Sequence, residues 1–122
     1  MLRVILADRS EIARSAIRLH LSRFEGEWQV VAEANDEPSL LIRLEETCPD
    51  VVILHIGIAK QTLTTLVAQI HEFCPKVNVI VTSSDPDTET IALKAGADDF
   101  SYLGNSPTTL VTKLRIIQSE RA

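Results

Sequence analysis

Apolar residues alternate between two textures along this chain. Short, nearly unbroken runs occur at Val4-Ile5-Leu6, at Val51-Val52-Ile53-Leu54 and over residues 77–81. Between them lie longer stretches in which apolar positions recur every three or four residues. The runs have the texture of strands buried on both faces of a parallel sheet. The spaced stretches have the texture of helices that bury one stripe. The first stripe is Ala13, Ile17, Leu21 and Phe24, with Ser10 or Asp8 as its cap and Gly26 as its end. The second is Leu40, Leu41 and Leu44, opened by Asn35-Asp36-Glu37-Pro38 and stopped at Cys48-Pro49. The third is Leu63, Leu66, Val67 and Ile70, stopped at Cys74-Pro75. A short fourth carries Ile91, Ala92 and Ala95 and ends at Gly96. The fifth follows Ser106-Pro107 and carries Leu110, Leu114 and Ile117. A second strand is predicted over residues 29–34, with Trp28 at its entrance. A fifth, over residues 99–103, is less apolar than the others and therefore suits a sheet edge.

Strand and helix thus alternate through five units with short connections. That pattern demands a parallel sheet with helices on both faces. Right-handed crossovers and five units favour the flavodoxin-like, doubly wound α/β fold with strand order 2-1-3-4-5. In such sheets ligands and chemistry gather at the carboxyl ends of the strands. The central strand, 51–54, ends on His55. The order places beside it Asp8 and Arg9 from the first strand, and Thr82 and Ser83 from the fourth. Tyr102 and Leu103, from the fifth, lie at the rim.

Length and charge narrow the setting. The chain has 122 residues, a net charge of −5 and 45% apolar residues. This is one domain of ordinary size, able to bury roughly two-thirds of its unfolded surface. Mixed acids and bases with an acidic excess argue against direct nucleic-acid binding by this domain. No apolar run approaches the ~20 residues of a membrane span, and no signal peptide is visible, so a cytoplasmic setting is expected. Cys48 and Cys74 each precede a proline just ahead of a strand. Each is expected to be a small buried packing residue and not part of a disulfide framework. The recurring Glu-X-Cys-Pro joints mark a repeated architectural unit.

Along essentially its whole length the chain resembles the receiver domain of bacterial response regulators. The likeness rests on five segments in order: Arg3 through Arg9, Pro49 through His55, Val79 through Ser83, Ala92 through Phe100, and Ser106-Pro107. It implies a signalling module of a two-component or phosphorelay system that receives phosphate from a sensor kinase. It also implies a DNA-binding effector beyond residue 122, so that residues 1–122 form one receiver-like domain that is not itself an enzyme. The family uses an aspartate as phosphoacceptor, two acids for Mg²⁺ and a lysine for the phosphate. Those parts offset charge on the transferring phosphoryl group. Here the phosphoacceptor position is His55, the second acid position is Arg9 and the lysine position is Leu103; Asp8 is retained. Thr82 and Phe100 match the family's switch hydroxyl and switch aromatic. The pocket is therefore expected to be degenerate, to hold Mg²⁺ weakly or not at all, to take no other metal or cofactor, and to work without phosphorylation. A kinase partner is doubtful on the same grounds.

His55 is read first as a structural plug hydrogen-bonded to Asp8 or Thr82. A pH sensor and then a phosphohistidine rank behind it. Arg9 is expected to pair with Asp8, its guanidinium filling the space of the metal. Gly57 through Lys60, in place of the family's Met-Pro-Gly loop, reads as a bland connection. The resemblance points to homodimerisation or a partner regulator through the fourth helix, fifth strand and fifth helix, with Phe100, Tyr102 and Ile91 as contacts. Two other classes stay open. One is a small hydrolase using Asp8, His55 and Ser83, although no Gly-X-Ser-X-Gly elbow is present. The other is a structural dimerisation or adaptor module with a frozen switch. His20 and His71 have no metal-ligand spacing and are expected at the surface or rim.

Overall fold

The computed structural model describes residues 1–24 and 26–121. Five parallel strands, β1 (Leu2–Ala7), β2 (Trp28–Ala34), β3 (Val51–His55), β4 (Asn78–Ser83) and β5 (Asp99–Tyr102), form one sheet in the order β2-β1-β3-β4-β5. The helices are α1 (Glu11–Leu21), α2 (Glu37–Thr47), α3 (Leu63–Phe73), α4 (Glu89–Lys94) and α5 (Pro107–Arg121). The expected order is the observed one, and β5 is an edge strand as its weaker apolar texture predicted.

Strand alternation sorts the core into two layers. Ile5, Val52, Leu54, Val79 and Val81 face α2, α3 and α4, where Leu40, Leu44, Leu66, Val67 and Ile70 meet them. Val4, Leu6, Val51, Ile53 and Ile80 face α1 and α5, where Leu21, Leu110, Val111, Leu114 and Ile117 meet them. The middle strand β3 contributes to both layers, which is why residues 51–54 are apolar without interruption. Each buried aliphatic side chain of this kind contributes about 1.5–3 kcal/mol relative to exposure.

Local signals set the helix starts. The Ser10 hydroxyl accepts from the Ala13 amide at 3.1 Å, so Ser10, and not Asp8, caps α1. Asp36 and Ser39 form a reciprocal capping box on α2. The Asp36 carboxyl is held below its ordinary value, chiefly by the Ser39 amide and then the Ser39 hydroxyl, with Lys60 and Arg9 adding to the effect. Helix α1 stops at Leu21, five residues short of Gly26. The indole of Trp28 donates to the Leu21 carbonyl at 3.0 Å, which also accepts from the Phe24 amide at 3.1 Å, so the end of the helix is fixed from two sides.

The cysteines depart from expectation. Cys74 is buried, but Cys48 is exposed, and the two are joined as a disulfide with Cα atoms 5.6 Å apart. They cap the carboxyl ends of α2 and α3. Parallel neighbouring units bring equivalent joints side by side, so a cysteine placed identically in two consecutive units meets its counterpart. Cys48 has a left-handed backbone with φ of 39°, the geometry that ends a helix without continuing it.

Candidate functional site

The register of the sheet brings the sequence-predicted residues to one edge. Ala7 is level with Leu54, so Asp8 follows β1 beside His55; His55 is level with Thr82, Thr82 with Ser101, and Ser83 with Tyr102. Asp8, Thr82 and Ser83 are buried, His55 is partly buried, and Arg9 and Leu103 are exposed.

The bonds among them differ from the expected set. The Gly57 amide donates to His55 Nδ1 at 3.1 Å. This local bond caps the 3-10 turn Ile56–Ile58, and His55 bonds neither Asp8 nor Thr82. An accepting Nδ1 puts the ring proton on Nε2, the neutral tautomer. The Nδ1 of His55 is taken by the turn that follows it, and the bonds expected to Asp8 or Thr82 are not made. Arg9 Nε donates to the Gly57 carbonyl at 2.9 Å and makes no ion pair with Asp8. Asp8 Oδ1 instead accepts from the Ser10 amide at 2.9 Å, while Arg14 donates to the Asp8 carbonyl. Gly57 is thus held from both sides, by His55 at its amide and Arg9 at its carbonyl. A Cβ there would sit 3.1 Å from His55 Nδ1, so a larger residue would require the ring to shift by a few tenths of an ångström.

The connection after β3 is more than a bland loop. Ile58 is fully buried in the α2–α3 layer, and the Lys60 amide donates to the buried Glu37 carboxylate at 2.9 Å. Neither role was visible in the sequence reading, although an isoleucine in a glycine-containing connection hints at an anchor.

The Ser83 hydroxyl accepts from the Asp85 amide at 3.0 Å. Asp8, His55 and Ser83 therefore each bond a backbone amide within two residues of themselves, and none bonds another member of the hydrolase set. Leu103 stays beside β4 through its amide, which donates to the Ser83 carbonyl at 2.9 Å. With Ala13, Ile17, His20, Pro107 and Leu110 it lines an apolar cleft of about 300 Å³ between α1 and α5. His20 Nε2 is enclosed there without a partner. His71, half exposed at the other helix layer, bonds Asp98 at 3.1 Å. Among the described residues no three His, Cys, Asp or Glu side chains converge as metal ligands.

The interface candidates separate. Ile91 is 58% exposed, but Phe100 is 5% exposed and belongs to the α2–α3–α4 layer, so it supplies packing and not a contact surface. Its place in β5 faces it inward, and the next residue on that face, Tyr102, is partly buried against the same layer. The Tyr102 ring lies over Gly104, where a Cβ would come within 2.2–2.3 Å of it. No helix among the described residues is long and apolar enough to cross a membrane.

Residues 4–115 match the family model described as the response regulator receiver domain. The chain is 27% identical over 112 residues to the transcriptional regulatory protein YhcZ of Bacillus subtilis, covering 90% of this chain and 52% of that protein. It is 34% identical over 103 residues to protein-glutamate methylesterase/protein-glutamine glutaminase 3 of Syntrophomonas wolfei, covering 82% of this chain and 29% of that one. The chain therefore spans about half, and under a third, of these two relatives. A two-component response regulator of the LuxR family from Aurantimonas superposes with a TM-score of 0.87 at 23% identity, over 98% of this chain and 86% of that one.

Proposed function

This chain belongs to the response regulator receiver domain family, and we propose that it serves there as a signalling module set by protein contacts and not by an aspartyl phosphate. One observation carries the reading. The position that would accept phosphate is an imidazole, not a carboxylate, with its Nδ1 taken by the Gly57 amide, and the Gly57 carbonyl beside it is held by the Arg9 guanidinium. A hard dication needs several oxygen ligands. Beside His55 the end of β1 supplies the Asp8 carboxylate, with one oxygen engaged by Ser10, and among the described residues no three acid, imidazole or thiol groups converge as ligands. A fixed cation stands on the nearest carbonyl. That donor set does not suit Mg²⁺, and Leu103 cannot neutralise a phosphoryl group. The residues that remain from the switch, Thr82 and Phe100, are buried and available to packing.

The output we infer is control of a DNA-binding segment. The likeness to a transcriptional regulatory protein and to a LuxR-family regulator supports it, as does the fraction of YhcZ that this chain leaves uncovered. Ile91 and the exposed face of α4 and α5 are the proposed contact surface for a second copy or a partner regulator. The hydrolase reading gains nothing from the geometry, because its three residues are each committed to neighbouring amides.

The test is incubation with a small-molecule phosphodonor and Mg²⁺, read by intact mass, for the wild type and for His55→Asp. Neither is expected to gain a phosphoryl group, because Arg9 and Leu103 remain in the variant. Stable labelling of the wild type, or efficient labelling of His55→Asp, refutes the proposal.

A further inference from the structure

On the sheet edge opposite His55, Cys48 and Cys74 cap α2 and α3. From their geometry we propose that this pair is a reversible thiol–disulfide exchange site. Cys48 is the sulfur that meets solution, Cys74 is its resolving partner, and the co-reactant is an anionic low-molecular-weight thiol or its disulfide.

Three features support this assignment. The first is asymmetry: Cys48 is exposed, whereas Cys74 is 2% exposed. Exchange requires in-line access to one sulfur only, and exposed disulfides are the labile ones. The second is that a carbonyl acceptor lies beside each sulfur of the oxidised pair. Cys48 Sγ lies 3.8 Å from the Phe73 carbonyl at the end of α3, and Cys74 Sγ lies 3.7 Å from the Leu44 carbonyl in the last turn of α2. Each thiol can donate to the opposite helix, so neither redox state leaves buried sulfur unsatisfied. The third is that α2 and α3 are held by Leu40, Leu44, Leu66, Val67 and Ile70 whether or not the sulfurs are joined. The site opens on a cleft of about 370 Å³ bordered by Pro49, Pro75, Asp50, Lys76 and Arg121, with Arg121 paired to the Asp50 carboxylate at 3.3 Å. Lys76 is the basic side chain of this lining that makes no ion pair with Asp50, and it favours an anionic co-reactant beside Cys48.

The chemistry balances as two exchanges. The Cys48 thiolate attacks one sulfur of the small disulfide, forming a mixed disulfide and releasing one small thiolate. The Cys74 thiolate then attacks Cys48 Sγ, forming the intramolecular bond and releasing the second. The protein pair loses two protons and two electrons, and the small disulfide is reduced to two thiols. Reduction runs the same steps backwards.

The whole chain is equilibrated in glutathione and glutathione disulfide at ratios spanning about four orders of magnitude, quenched by alkylation and analysed by intact mass and peptide mapping. A single reversible transition between the dithiol and the form lighter by two hydrogens is expected within that range. In Cys74→Ala the glutathione adduct should form on Cys48 at least about tenfold faster than on Cys74 in Cys48→Ala. Should Cys74→Ala fail to fold, adduct trapped on wild-type Cys48 during reduction gives the same readout. A pair that stays oxidised or stays reduced throughout, or an adduct that accumulates on Cys74, overturns the proposal.

Discussion

Replacing Cys48 with serine should cost most of what the cross-link contributes and little else. Cys48 is exposed, so the change opens no cavity, and serine meets the same left-handed backbone at the same penalty. The bond closes a loop over a sequence separation of 26. Loop-closure entropy for such a span is worth about 3.5 kcal/mol at 25 °C. With an unfolding entropy of about 0.26 kcal/mol/K for a chain of this length, the midpoint should fall by about 14 °C. The assays are thermal and urea unfolding, each followed by far-UV circular dichroism with and without reductant, the first reading the midpoint in °C and the second the slope. Oxidised wild type should show the higher midpoint and a smaller slope, since a cross-linked unfolded chain exposes less surface. Reduced wild type and Cys48→Ser should coincide, and reductant should not move the variant. Cys74→Ala should lose roughly 1 kcal/mol more, because buried sulfur packing goes with the bond. If mass confirms the bond and the oxidised protein and Cys48→Ser still unfold within about 1 kcal/mol of each other, the loop-entropy reasoning fails.

Two further outcomes probe other parts of the molecule. The Asp36 carboxyl is held low in the folded protein, so its contribution is present above the unfolded value and lost as pH falls through the folded one. The stability advantage of wild type over Asp36→Asn should therefore be flat near neutrality and shrink below about pH 4, as urea midpoints across pH will read. In Gly104→Ala the new methyl group meets the Tyr102 ring, and the displaced ring should cost about 1–3 kcal/mol. Near-UV dichroism of this single tyrosine reports the displacement, and an unchanged spectrum with unchanged stability rejects the account.

Much of the fold was legible because its signal is local and repeated. The unbroken apolar run of β3 announced a strand with helices on both sides, and the Pro residues after Cys48 and Cys74 announced the helix ends. The convergence of Asp8, His55 and Thr82 followed from strand order alone. What those residues bond did not, because residue type does not decide between partners that are all within reach. His55 satisfies the amide two residues on, a contact that closes a tight turn, in preference to a residue on another strand. Arg9 is long enough to pass Asp8 and reach Gly57. Phe100 is covered by the facing helix layer, which the aromatic's place on an edge strand does not by itself reveal. The cysteines were misread one at a time; their identical place in consecutive units was the available signal, and adjacency of parallel units turns that repetition into contact.

The bond from Arg9 to the Gly57 carbonyl has a consequence for what can reset this edge of the sheet. A bound metal ion is present in proportion to its concentration and leaves when a chelator competes. A guanidinium tethered to the chain is always at hand, at an effective concentration in the millimolar range or above. The positive charge beside Gly57 is thus part of the covalent chain, indifferent to divalent-ion supply. A molecule that acts here must compete with a cation that never dissociates.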